Sequence, residues 1–356
     1  MKAPNPIRVG IVGLGRAGGL DPSSWKMHCS ELQGREGKFR IVAACDVIPQ
    51  RRAQMVARYG CRPYARIEDL AADPNVDLVD IATRSCDHLP HALIALRAGK
   101  HVFLEKPITV DYAQALKLRS AAARAKGRLF IRHNRRFESA FVRIRDIIAT
   151  GVLGDVFEIK LRRNGFQRRA DWQTILSFGG GQLLNWGPHI IDHALRLLES
   201  PVADVWGDLK RVAAVGDAED QVRILLRGKN GRVVDLEISG GAALPEPEYM
   251  VLGSRGALTC SGADLRMRYI DPAQKLLRFR ARAATPGTAA AAVPSENLQW
   301  VEKAERVAPD DLAVIWDHLY EAIRNGKRFP ITLEESVEVM RVISEVRKGT
   351  PFRARG

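Results

Sequence analysis

Short apolar runs alternate with longer amphipathic ones through the first third of the chain. IRVGIV (7–12), FRIVAACD (39–46), VDLVDIAT (76–83), KHVFLE (100–105) and RLFIRH (128–133) each read as a strand. They are apolar on both faces, as strands are when helices cover both sides of a sheet. Between them, Pro49–Tyr59, 86–98 and 111–125 carry apolar residues at helical spacing. This alternation predicts a doubly wound α/β domain on a parallel sheet, assigned to residues 1–132.

From about Phe137 the period changes. A helix-like stretch at 140–151 is followed by GDVFEIKLRR, VADVWGDLKRVA, DQVRILLRGKNGRVVDLEISGG, PEYMVLGSRGALTCSG and DLRMRYIDPAQKLLRFRAR. These alternate as strands with one wet face. Lys229-Asn230-Gly231 marks a hairpin turn, and Asp271-Pro272 opens another. Strands joined by turns predict an α+β domain with a large, mostly antiparallel sheet over residues 133–356. Residues 283–296, rich in Ala and Pro, read as a loop, and 311–325 and 334–348 as two terminal helices.

Composition narrows the class. The 356 residues are 46% hydrophobic and 27% charged, enough for real cores. No apolar run approaches a membrane span, and the N-terminus enters a strand at once, without a secretory pattern. Cys29, Cys45, Cys61, Cys86 and Cys260 are scattered and never form CxxC. That excludes a zinc or disulfide framework, predicts no metal, and fits a reducing, cytoplasmic location. The net charge of +14 is spread along the chain. Without aromatic-basic interleaving, a helix-turn-helix or a zinc finger, it predicts no nucleic-acid partner. It reads as an Arg-rich solvated surface, with a positively charged substrate cleft as the alternative.

Gly13-Leu14-Gly15-Arg16-Ala17-Gly18 is a GxGxxG directly after the first strand. Gly13 permits the tight turn, Gly15 lets backbone approach a pyrophosphate, and Gly18 allows close helix–strand packing. The following helix N-terminus would face the anion. Pro22 would disturb that helix, so an insertion is expected from about Leu20 to Lys26, with the helix resuming near Met27. The second strand ends in Asp46, whose carboxylate suits the two ribose hydroxyls of NAD and repels a 2′-phosphate. Arg51 and Arg52 nearby are a basic pair able to accommodate such a phosphate.

Lys106 sits at the C-terminal end of a strand, the edge where parallel sheets collect ligands. Farther on, GGGQLLNWGPHIIDH (179–193) would place Asn185, His189 and Asp192 along one helical stripe. Pro188 either opens that helix or kinks it. Arg135, Arg136, Arg162, Arg163, Asn164, Arg168, Asp171 and Trp172 are candidates to line a substrate cleft, and Trp172 could stack on a sugar ring.

In order and context, GLGRAG (13–18), CD (45–46), VDIAT (79–83), His88, AGKHVFLEKP (98–107), RRF (135–137) and GGGQLLNWGPHIID (179–192) resemble the Gfo/Idh/MocA oxidoreductase family over nearly the whole chain. The resemblance implies a Rossmann domain followed by a domain whose open sheet makes a homodimer or homotetramer. It implies NAD held by Gly13, Gly15, Arg16, Ala17, Gly18, Asp46, Thr83, His88, Glu105 and Lys106. It implies catalysis by Lys106, Asn185 and His189, with a sugar or polyol against Arg135, Arg163, Trp172, Asp192 and these three. His189 would take a proton from a secondary alcohol and Lys106 would polarise its oxygen. Asn185 stands where the family usually has an acid, and an amide cannot take a proton. The alternatives are a redox-neutral, NAD-assisted elimination or glycoside cleavage, and a dinucleotide-binding regulator without catalysis.

Overall fold

The computed structural model describes residues 6–20, 28–281, 283, 285, 288 and 296–352. The first domain runs β1 (Ile7–Val12), α1 (His28–Glu31), β2 (Phe39–Cys45), α2 (Pro49–Tyr59), β3 (Arg62–Tyr64), α3 (Ile67–Ala72), β4 (Leu78–Ile81), α4 (His88–Arg97), β5 (His101–Glu105), α5 (Tyr112–Arg124) and β6 (Leu129–Arg132). The strands stand in the order β3-β2-β1-β4-β5-β6, all parallel, as the alternation of strand and helix predicts. The chain reverses direction across the sheet between β1 and β4, so a crevice opens at their C-terminal ends. β3 was not expected from the sequence. It has three residues, contains Pro63, and pairs on one side only, so it carries no buried apolar run.

The second domain contains α6 (Ser139–Ala149), β7 (Val156–Asn164), α7 (Gln182–Asn185), α8 (Gly187–Leu198), β8 (Val202–Lys210), β9 (Gln221–Gly228), β10 (Val233–Ser239), β11 (Tyr249–Gly253), β12 (Gly256–Ser261), β13 (Asp264–Ile270), β14 (Trp300–Arg306), α9 (Val314–Asn325) and α10 (Leu333–Arg347). Its eight-stranded sheet has the order β14-β13-β12-β11-β7-β10-β9-β8, antiparallel except where β7 meets β10. The β9–β10 hairpin closes at the expected turn, with Gly231 at φ 84°. β14 was not expected: it is an edge strand of largely exposed, charged residues. Much of the loop read at 283–296 lies outside the described residues, as does nearly all of the insertion read at 20–26.

Helices cover one face of this sheet. On β8, a Cβ at Gly207 would stand 2.6 Å from Val346 of α10. Trp206 therefore points to the opposite face, where it is half exposed. α10 starts with a capping box between Thr332 and Glu335. α9 returns to the first domain, where the buried Trp316 ring packs edge-on against Phe103 and Phe39 at centroid distances of 4.9 and 5.4 Å.

A chain of buried charges joins these elements at the crevice. His28 Nδ1 lies 2.7 Å from an Asp80 carboxylate oxygen, and Nε2 lies 3.0 Å from Glu105. Arg132 donates to Glu105 at 2.8 Å and, through Nη2, to Glu31. Trp316 Nε1 donates to the same Glu31 oxygen at 2.8 Å. The charges alternate in sign from Asp80 to Glu31. Both His28 nitrogens face carboxylates, which requires the imidazolium. Burial, the largest effect, would lower the His28 pKa and Arg132 adds to that, but the Asp80 charge and the hydrogen bonds to Asp80 and Glu105 together outweigh both, and the pKa rises to about 9. Burial would raise the Glu105 pKa, yet Arg132 and His28 hold it well below the usual carboxylate range.

The His28 ion pairs stabilise the fold below the unfolded imidazole pKa of ~6.5, and that contribution is lost as pH climbs through about 9. The gain is at most on the order of 3 kcal/mol. Urea unfolding should therefore show stability falling between pH 6.5 and 9.5 in the native protein, and a flatter profile in His28→Gln. Parallel profiles would contradict this role.

Candidate active site

The crevice opens into a cleft of about 1610 Å³, walled by the C-terminal ends of the first-sheet strands and by the 167–189 segment of the second domain. In its first half lie Gly13, Gly15, Arg16, Ala17, Asp46, Thr83 and His88. Gly13 has φ 88°, and a Cβ there would stand 2.7 Å from the Ala82 carbonyl oxygen. A Cβ on Gly18 would meet the Gly13 carbonyl at 2.3 Å, while at Gly15 the nearest atom is Arg51 Nη1 at 3.9 Å. Gly13 and Gly18 are thus glycines for want of space, and Gly15 presents open backbone to the cleft. This is a cradle that a diphosphate fits.

Asp46 accepts hydrogen bonds from the backbone N–H groups of Leu14 and Ile48, both at 2.8 Å. Its carboxylate is thereby held at the cleft wall with lone pairs to spare. Arg51 Nη1 stands 3.4 Å from it, and Arg52 turns back to the Asp46 carbonyl at 2.6 Å. His88 lines the cleft, but its nitrogens face the carbonyls of Pro107 (2.6 Å) and Thr83 (3.1 Å). It braces the loops after β4 and β5, and burial lowers its pKa against the pull of those two carbonyls. Glu105 also lines the cleft. Its Oε2 accepts the Lys106 backbone N–H at 3.1 Å, so the buried charge chain reaches the lysine itself.

The second half of the cleft gathers Lys106, Arg135, Trp172, Asn185 and His189. The polar stripe is not one continuous helix. α7 ends at Asn185, and Pro188 opens α8 within its first turn, the first of the two options its position allowed. Lys106 Nζ donates to the Asn185 carbonyl oxygen at 2.9 Å, which ties the two domains across the cleft. Burial lowers the lysine pKa to about 8; Glu105 opposes this, while Arg135, Arg132 and Arg169 add to it. His189 is buried, and its Nδ1 has no hydrogen-bond partner among the described residues. Burial, then Lys106 and Arg135, push its pKa well below 6.5, so the imidazole is neutral at neutral pH. Arg135 lies over the Trp186 ring at 4.3 Å and is held by Glu138.

Six residues expected at the substrate or along its cleft do not line it: Arg136, Arg162, Arg163, Asn164, Arg168 and Asp192. Asp192 is buried and chelated by Arg136 through bonds of 2.7 and 2.6 Å, so it points away from the cleft. Arg163 is taken up by Glu138 (2.6 Å) and Glu248 (2.7 Å) behind the Trp186 ring. Other cleft residues escaped the sequence reading: His28, Asn134, Gln167, Arg169 and Gln173. Residues 167, 169 and 171 alternate along the extended segment before the helical turn at Trp172–Thr174, so a period of two would have chosen Arg169 over the exposed Arg168.

Among the described residues, no group of three or more His, Cys, Asp and Glu side chains is arranged to hold a metal ion, and no helix is long and apolar enough to cross a membrane.

Comparison with known proteins matches residues 7–133 to the oxidoreductase family with an NAD-binding Rossmann fold, and 141–259 to the GFO/IDH/MocA C-terminal domain. The chain is 31% identical to 1-carboxy-3-chloro-3,4-dihydroxycyclohexa-1,5-diene dehydrogenase of Comamonas testosteroni, over 68% of its own length and 60% of the relative. It is 27% identical to the scyllo-inositol 2-dehydrogenase (NADP(+)) IolW of Bacillus subtilis, over 78% and 77% of the two chains. The yvaA protein of Bacillus subtilis shares the fold, with a TM-score of 0.81 at 20% identity over 98% and 97% of the chains. By its glycine turn, its two sheets and these matches, this chain belongs to the Gfo/Idh/MocA oxidoreductases and carries their NAD-binding Rossmann domain.

Proposed function

We propose that the chain is an NAD-dependent dehydrogenase acting on a secondary alcohol of a sugar, polyol or sugar derivative. The observation that carries this is the convergence of Lys106 and the neutral, unpartnered His189 in the half of the cleft beyond the glycine turn. The inositol dehydrogenase and the dihydroxy-diene dehydrogenase among its relatives support hydroxylated ring substrates.

A bound nicotinamide dinucleotide supplies the hydride acceptor. Gly13, Gly15, Arg16 and Ala17 would hold its phosphates, with Gly18 packed beneath the turn and outside the cleft, Asp46 its adenosine ribose, and Thr83, Glu105 and Lys106 the walls beyond, with His88 behind them. His189 accepts the hydroxyl proton, for which a neutral imidazole is the required form. Protonated Lys106 donates to the same oxygen and stabilises the charge that develops on it. Asn185 cannot move a proton; its carbonyl orients the lysine, and its side-chain oxygen accepts from Gln173 at 3.4 Å. Trp172 gives the substrate an apolar wall. We further propose that a second copy covers the open sheet face around Trp206, making a homodimer or homotetramer.

Replacing His189 or Lys106 by Ala should lower kcat for the responsive polyol by about 10²–10⁴, with the dinucleotide still quenching tryptophan fluorescence. Unchanged turnover in both would remove the assignment. NAD should exceed NADP in kcat/KM by at least ~10-fold, the worth of a charged hydrogen bond. Asp46→Ser should erase that preference, and an unchanged ratio would refute the role of Asp46. Light scattering should report two or four chains per particle, with Trp206→Asp lowering the mass. A monomeric native protein would rule out the interface.

A further inference from the structure

The charges at the reactive end of the cleft do not balance. Lys106, Arg132, Arg135 and Arg169 line it, against the carboxylates of Glu105, which Arg132 and His28 already hold, and Asp171, whose side chain is half exposed. Glu138, which holds Arg135, is buried behind the wall and shared with Arg163, which Glu248 also holds. Arg16 is set aside, because it sits at the glycine turn where a diphosphate would balance it.

Both arginines are held in place. Arg169 bonds to Asp171 through Nε (3.2 Å) and Nη2 (2.7 Å), and Nη2 also reaches Gln173. Arg135 uses Nη1 for Glu138 and lies flat on Trp186. Among the described residues, these hydrogen bonds leave Arg169 Nη1 and Arg135 Nη2 without a protein acceptor. Each guanidinium is thus held in place and keeps a nitrogen free to donate to an anion.

We propose that the substrate bears a carboxylate, received by Arg169 and Arg135, so that the physiological substrate is a sugar acid or polyol acid rather than a neutral polyol. The inference takes from the proposed function only the location of the site. A carboxylate removes one unit of excess charge and leaves the Lys106 ammonium for the reacting oxygen. The same anion would relieve the repulsion that Lys106 and Arg135 exert on a proton at His189, making that imidazole a stronger base when substrate is bound. An oxidised nicotinamide ring is itself cationic, so the imbalance is greatest in the oxidative direction.

The test pairs acids with neutral counterparts of matching hydroxyl configuration: D-gluconate with D-glucitol, and D-galacturonate with D-galactose. Binding is read by tryptophan fluorescence with NAD present, in parallel with NADH formation at 340 nm. At least one acid should bind ~10-fold or more tightly than its partner. That advantage should shrink between 50 and 500 mM NaCl, and Arg169→Gln should bring the ratio towards one. Equal binding within each pair, tighter binding of the neutral members, or no binding by any acid would overturn the proposal. Acids that bind selectively without forming NADH would preserve it and refute net dehydrogenation. Neutral members that bind and turn over preferentially would do the reverse.

Discussion

The structure depends on one constraint: the charged residues at the crevice lie away from water and must satisfy each other. Asp80 lies one residue before the end of β4, Glu105 ends β5, Arg132 ends β6, and His28 and Glu31 belong to α1. None of these side chains is more than a tenth exposed. Removing one partner from such a set strands a buried charge, which typically costs about 3–5 kcal/mol. The alternating chain therefore sets the ends of three strands and one helix against each other. It also fixes the Glu105 carboxylate that receives the Lys106 backbone N–H. The position of the lysine is a consequence of the sheet's internal electrostatics.

The second half of the site is built differently. Aromatic and ionic layers alternate from Arg135 to Trp186 to Arg163, with Glu138 joining the two arginines and Glu248 closing the set. Arg136 holds Asp192 and Glu335 at the base of α8. These pairs keep α8 rigid beneath His189 while sparing the imidazole a hydrogen-bond partner at Nδ1. At the site, Lys106 Nζ joins the two domains by donating to the Asn185 carbonyl. An Asn or an Asp at 185 would offer that carbonyl equally. The departure from the family's usual acid therefore removes a group able to take a proton without altering how the lysine is oriented.

Much of this was legible in the sequence, because period and glycine spacing report local geometry. The parallel core strands, the β9–β10 turn, the glycine cradle and the place of Asp46 follow from patterns a few residues long, while the grouping of Lys106, Asn185 and His189 in one cleft follows from the family resemblance. What failed needed knowledge of partners. Asp192 shares a stripe with His189, but an arginine 56 residues earlier captures it. Arg163 meets Glu138 and Glu248, which no local pattern links to it. His28 follows the glycine turn at a distance that hides it, and its charge arises only from carboxylates 52 and 77 residues away. β3 and β14 are edge strands with too little buried surface to leave a hydrophobic period.

The central claim is spatial: the cleft receives a nicotinamide dinucleotide whose reactive ring lies beside Lys106 and His189. A crystal structure with NAD bound measures this directly. The account predicts a diphosphate on the Gly13–Gly18 turn, an adenosine ribose at Asp46, and a nicotinamide ring in contact with the Lys106 side chain, its hydride-accepting face towards His189. A nucleotide bound with its ring turned away from those two side chains, or lodged outside the cleft, would contradict it.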